Sequence, residues 1–202
     1  MEEIGLFPLG IVLLPTERVP LHIFEPRYRE LIGECLETGD EFGLVYTDED
    51  GVRDIGTRAR VDELLEQLDD GRMNIVVEGG ERFTVERITV GRSFLTAMVA
   101  PVEDDGAQPT ADAVARAAAS FRALAAAAEA DAGEVEEGSG QLSFRLAAQV
   151  ELAPETKQEL LELRSEQRRL ELVAEMLDGV RSVLIATREL GERAKKNGSR
   201  LT

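Results

Sequence analysis

Four prolines fall within the 26 residues from Leu6 to Leu31, LFPLGIVLLPTERVPLHIFEPRYREL, and they restrict this chain more than any other feature. Proline cannot donate to a sheet ladder, and it tolerates a helix only in the first turn. Phe7 to Leu14 is an apolar run broken by Pro8 and Gly10, a pattern that suits an edge or bulged strand better than a central one. Beyond the loop at Pro15 to Arg18, Val19, Leu21 and Ile23 alternate with Pro20, His22 and Phe24, which predicts a strand with an apolar back and a mixed front. Pro26 then suits a first helical turn. Tyr28, Leu31, Ile32, Cys35 and Leu36 recur at helical spacing up to Gly39, a C′ glycine. The unit is strand, sharp corner, amphipathic helix.

PLGIVLLP followed by VPLHIFEPRYREL resembles the opening of the N-terminal substrate-binding domain of Lon proteases, in the form found as a stand-alone bacterial protein. DGRMNIVVEGGERFTVERI is similar to that family's second signature, a DGR turn, a strand and a glycine followed by Arg-Phe. ETKQELLELRSEQRRLELVAEML looks like its C-terminal helical segment. The resemblance covers most of residues 4 to 178, and 103 to 140 carry no signature. One departure lies in the first loop, where Thr16 follows Pro15 at a place where Lon-like chains often carry glycine. The resemblance implies a PUA-like pseudo-barrel followed by helices, and a surface that recognises other proteins.

The remaining pattern points the same way. Phe42, Leu44 and Tyr46 alternate with Gly43, Val45 and Thr47; Asp50-Gly51 makes a turn, and Ile55 to Val61 returns as a hairpin partner. Glu63 to Asp70 is ambiguous. Met73, Ile75 and Val77 begin a strand, Gly79-Gly80 is expected to turn it, and Phe83 and Val85 begin the next. The apolar phase then slips from odd positions to Ile88 and Val90, which predicts one extra residue near Arg87, a bulge that bends the sheet. Phe94 to Val102 is apolar on both faces, as in a strand that is central or closes a barrel. The expected fold class is α+β, with a PUA-like β pseudo-barrel lobe over 1–102, an acidic linker over 103–109 and a C-terminal α-helical bundle with a long terminal helix over 110–202. In that helical half Thr110 is the expected N-cap of an alanine-rich helix whose apolar face carries Val114, Ala118, Phe121, Ala125 and Ala128. Gly133 to Gly140 reads as a flexible acidic loop. Shorter helices are expected from Gln141 to Leu152 and from Pro154 to Leu163. A long helix from about Ser165 to Lys195 carries Leu170, Val173, Leu177, Val180, Leu184 and Thr187 at three- and four-residue steps.

Charge and chemistry narrow the function. With 43% hydrophobic residues in 202, the chain can bury a core, while a formal net charge of −17 argues against a phosphate-backbone partner. One cysteine makes no internal disulfide, no basic-then-apolar leader opens the chain and no uncharged run reaches membrane-spanning length, so a soluble protein of the reducing cytoplasm is expected. GxxxxGK[ST] is absent. His22, the one histidine, reads as structural or surface, and Cys35 as a buried small hydrophobe. Acidic runs such as Asp48 to Asp50 and Glu134 to Glu137 lack calcium-loop spacing. No catalytic residue, metal site or cofactor is expected.

The corner at Phe24, Glu25, Arg27 and Tyr28 admits two readings. Glu25 would cap the helix and Arg27 would pair with a carboxylate, or Phe24, Arg27 and Tyr28 would form the rim of a peptide-binding groove, where aromatics and arginine concentrate. Likewise the terminal helix either packs on its neighbours or self-associates as a coiled coil. The leading expectation is a non-enzymatic module that binds protein segments, unfolded or apolar-rich, working with a protease or chaperone in quality control. The alternatives are an RNA-binding PUA-like protein, which the charge disfavours, and an uncharacterised enzyme.

Overall fold

A computed structural model describes residues 2–133, 135 and 140–198, without the side chains of 191–198. The inner positions of the expected acidic loop, Glu134 and Glu136 to Ser139, lie outside the described residues. Two compact units result, Met1–Gly106 with Ala147–Ser165, and Ala107–Leu146 with Glu166–Thr202. The first is a closed sheet with two helices. The second is helical.

In the first unit, β1 (Glu2–Leu9) pairs with β7 (Thr96–Pro101) along its first half and, in parallel, with β3 (Phe42–Asp48) along its second. The ring β1-β7-β6-β5-β3 closes through that parallel pair, with β5 at Ile55–Gln67 and β6 at Met73–Thr89. The short β4 (Gly51–Val52) pairs antiparallel with the end of β3. So β1 is no edge strand, in contrast to what Pro8 and Gly10 suggest. Leu6 sends its N–H away from β3 to the Leu95 carbonyl (2.8 Å), and Pro8, two residues on, has its missing donor on that same side, where β7 no longer runs. The ladder loses nothing.

The edge strand is β2 (Arg18–Ile23), which pairs only with the first half of β6. Gly79 donates to the Glu17 carbonyl (2.9 Å), so the hydrogen-bonded pairs fall on Val19, Leu21 and Ile23, and Pro20 occupies a position whose nitrogen faces outward. Pro20 thus blunts the edge against further strands.

β6 runs unbroken for 17 residues, through Gly79 and Gly80, where a turn was expected. These glycines serve a close approach instead. A Cβ on Gly79 would lie 2.1 Å from the Leu14 carbonyl oxygen, because the chain leaving β1 crosses β6 there. Thr16 N–H bonds the Gly79 carbonyl at 2.7 Å and Glu17 N–H bonds Leu14 at 3.1 Å. Thr16 adopts φ 68°, a left-handed conformation that glycine would take without strain. Opposite this crossing the pairing shifts between Thr57↔Arg82 and Ala59↔Gly79, one extra residue on β6 that the eye takes for a turn. The other expected bulge is present as read: Val85↔Val99 is followed by Arg87↔Met98, leaving Glu86 unpaired.

α1 (Pro26–Thr38) buries Tyr28, Leu31, Ile32 and Cys35 and ends at Gly39 (φ 77°), whose N–H bonds the Cys35 carbonyl; Leu36 is exposed. Burial pushes the Cys35 thiol up to about 11. α4 (Pro154–Glu162) belongs to this unit and not with the other helices, which alters the expected boundary at 110. Leu160 and Leu161 are buried, and polar groups fix the helix: Tyr46 Oη donates to Glu155 (3.1 Å), Gln158 to the Ile55 carbonyl (3.1 Å), and Lys157 to the buried Glu17. Arg82, buried and followed by the fully buried Phe83, donates to the carbonyls of Leu161 and Leu163 at 2.7 Å each and pairs with Asp104. A guanidinium at the C-terminal end of α4 meets carbonyls that the helix itself leaves unpaired.

In the second unit α2 (Ala111–Ala128) starts at Thr110, whose hydroxyl accepts from Ala113 N–H, and packs along α5 (Glu166–Gly198). Ala118, Phe121 and Ala125 are buried as expected, whereas Ala128 is exposed. α3 (Leu142–Ala147) is shorter than expected. Glu166 caps it through Ser143 N–H (2.9 Å) and accepts from Arg169 (2.7 Å), which also stacks over Phe144. The α5 stripe is buried at Leu170, Val173 and Leu177 but exposed at Val180.

Three outcomes test this fold. Tyr28 and Tyr46 are the only tyrosines and tryptophan is absent, so tyrosine emission reports the first unit alone. Gly79→Ala should lower its urea stability by about 3 kcal/mol, since backbone must move, while Gly80→Ala, whose nearest neighbour is 3.4 Å away, should change it by less than about 1 kcal/mol. Arg82→Ala should cost about 2–4 kcal/mol by the same measurement, because two carbonyls and Asp104 lose a charged donor. At pH 8 Cys35, with roughly one thiolate in a thousand, should react with Ellman's reagent at least about a hundredfold more slowly in the native protein than in guanidinium; equal rates would contradict its burial.

Candidate functional site

Where β2, the first half of β6 and the end of β5 lie side by side, their outward face is open. The register aligns His22 with Asn74 and Asn74 with Glu66, one row across three strands. His22 and Asn74 form a pair without mutual backbone hydrogen bonds, the kind that brings side chains closest. Their side chains join the row: His22 Nδ1 lies 2.7 Å from Asn74 Oδ1, and Asn74 Nδ2 donates to Glu66 Oε2 at 2.8 Å. The carboxylate orients the amide, so His22 donates through Nδ1 to the Asn74 carbonyl oxygen and Nε2 takes no part in the row.

Leu65 reaches this face through a bulge. β5 pairs Leu64 with Ile75 and then Glu66 with Asn74, so Leu65 is the inserted residue, and its side chain is 53% exposed. Pro20, Leu21, His22, Leu65, Glu66, Asn74 and Ile75 line a depression of about 560 Å³. Phe24 extends it: 59% exposed, its ring stacks on His22 with centroids 5.9 Å apart. An aromatic, a leucine and a proline thus flank a hydrogen-bonded polar row, the mix of apolar surface and few fixed polar groups that binding sites share.

The residues of the corner separate. Phe24 and Arg27 lie at the surface, but Tyr28 is buried, stacked on Phe7 at 4.0 Å, and burial raises its pKa. Arg27 covers the Tyr28 ring at 4.5 Å and pairs with Glu25 at 2.8 Å. Glu25 holds the N-cap position without a side-chain cap bond, its carboxylate being turned to Arg27. The corner is therefore structural at Tyr28 and open at Phe24. Leu65 and Glu66 escape a reading by period because two bulges, at Asp62 and Leu65, break the alternation of β5, while Asn74 sits on the outward phase of β6 and joins the row only through the pairing with β2 and β5. The doublet Leu64-Leu65 inside an acidic stretch was the available signal, since a period of two cannot bury both.

A second depression, of about 720 Å³, is more polar and is lined by Glu34, Cys35, Arg58, Arg92 and Phe94 among others. Its cations are engaged, Arg58 with Glu2 (2.8 Å) and Arg92 with Glu34. Among the described residues no group of three His, Cys, Asp or Glu could hold a metal ion, and no helix is long and apolar enough to cross a membrane.

Comparison with known proteins identifies the family. The family described as the ATP-dependent protease La (LON) substrate-binding domain matches residues 3–179. Relatives include the Lon protease of Brevibacillus choshinensis, 25% identical over 98% of this chain and 28% of its own length, and that of Rhizobium meliloti (strain 1021), 28% identical over 92% and 25%. The chain spans about a quarter of the length of these two relatives. The crystal structure of a Lon N-terminal domain protein from Xanthomonas campestris matches with a TM-score of 0.67 and 26% identity, covering 85% of this chain and 96% of that one. The N-terminal domain of a Mycobacterium avium complex Lon protease, at TM-score 0.68, 19% identity and 87% and 98% coverage, shares the fold. With the barrel, α4 and the first part of α5 all inside the matched residues, the chain belongs to the substrate-binding domain family of ATP-dependent protease La (LON).

Proposed function

We propose that this chain is a non-catalytic module that takes up exposed apolar segments of other proteins on the open face of β2, β6 and β5, in the cytoplasm and in the service of protein quality control. Membership of a substrate-binding domain family supports a substrate-binding role, and the exposed Phe24 beside a depression that receives Leu65 is the observation that carries the rest. Phe24 and Leu65 supply apolar area, and Asn74 and His22 supply oriented polar groups for the backbone of an extended segment. A non-catalytic role fits the residue most suited to nucleophilic work: Cys35 is a buried, protonated thiol. Arg27, turned to Glu25 and Tyr28, holds the corner that presents Phe24.

Binding is expected for a fluorescein-labelled, twelve-residue peptide with a Phe-Leu-Ile core in a glycine and serine background, read by anisotropy. Phe24→Ala and Leu65→Ser should each weaken it by about five- to thirtyfold, the range of a truncated apolar anchor. Val52→Ser, which removes another exposed apolar side chain, 45% exposed on β4, should leave it unchanged. Variants that melt cooperatively and bind as tightly as the parent protein would overturn the assignment of this face.

A further inference from the structure

The charges around the open face select among apolar segments. Every arginine bordering it is committed: Arg18 to Asp62 at 2.5 Å, Arg60 to Glu78 at 2.6 Å, Arg27 to Glu25 at 2.8 Å and Arg72 to Asp70 at 2.8 Å, while Arg29 bonds the Asp70 carbonyl. Glu63 and Glu66, by contrast, are exposed and take part in no ion pair among the described residues. They bracket Leu64 and the bulged Leu65, so the apolar anchor of β5 sits between two uncompensated carboxylates. The polar row adds to this bias: Glu66 keeps an acceptor oxygen beyond the one Asn74 uses.

Resting on the binding role proposed above, we infer that the segments this face takes up are apolar stretches flanked by lysine or arginine, and that it discriminates against stretches flanked by acidic residues. A cationic side chain beside the apolar anchor meets Glu63 or Glu66 without displacing an existing ion pair. An acidic flank meets two carboxylates, while the arginines named above are already engaged. The two carboxylates are solvated, so the discrimination is modest and salt-sensitive.

The test uses the full chain and three labelled peptides with one Phe-Leu-Ile core, flanked on both sides by lysine, glutamine or glutamate, with a lysine peptide lacking the core as control. At about 50 mM salt the lysine-flanked peptide should bind about three- to tenfold more tightly than the glutamate-flanked one, and the gap should close at about 500 mM. Glu66→Lys and Glu63→Lys should each shrink or reverse that ratio. Glu86→Lys, equal in charge change but twelve positions along β6 from Asn74, should preserve it. Binding of the core-less lysine peptide, or equal loss of preference in Glu86→Lys, would assign the effect to net charge and overturn the inference. Equal binding of all three core peptides would overturn it too while leaving the binding role intact. Failure of every peptide to bind would refute the binding role itself.

Discussion

The structure of the barrel unit depends on a backbone contact, the passage of the Leu14 carbonyl over Gly79. Only a residue without a Cβ permits it, since the atom would fall 2.1 Å from that oxygen. The crossing carries the chain from β1 to the outer edge of β6, where β7 pairs further along, and two hydrogen bonds at Thr16 and Glu17 seal it. From there β2 has one register available. That register sets His22 against Asn74, brings Phe24 to the surface and directs Pro26 into the first turn of α1. The open face is thus a consequence of where one glycine lies.

Buried charges do the complementary work of fixing α4. Arg82 and Glu17 are both buried, and both point at that helix, one at its C-terminal carbonyls and one at Lys157. Paired groups of this kind cost desolvation, so they add less stability than an apolar contact of the same size, but they reject alternative placements of the helix in which either would stay unpaired. The Arg-Phe signature is on this account structural: Arg82 staples α4 and Phe83 fills the barrel. Glu166, Ser143 and Arg169 play the same part within the helical unit.

Local chemistry was legible wherever one element decided it. The alternation of β2, the proline start and glycine stop of α1, the Thr110 cap and the bulge beside Arg87 all appear as read, because each depends on neighbours in sequence. Features set by distant contacts were not. Gly79-Gly80 has the composition of a turn, and nothing nearby in sequence reveals that Leu14 passes over it. Pro154 and its helix read like any other helix, although its partners, Glu17, Ile55 and Arg82, make it part of the barrel unit. At the candidate site the strand bearing Phe24 was legible, but Tyr28 is drawn inward by Phe7, and Leu65 is turned outward by a bulge that an acidic, aperiodic stretch conceals.

A groove flanked by an exposed aromatic in a family of substrate-binding domains is a physical basis for binding, and its location is the central claim. Amide chemical shifts followed during titration with an unlabelled apolar-core peptide locate the contact without any substitution. Perturbations are predicted to concentrate on Leu21 to Phe24, Leu64 to Gln67 and Met73 to Ile75, with α5 unchanged. Saturable shifts confined to α5, or to the acidic depression beside Cys35, would contradict the account.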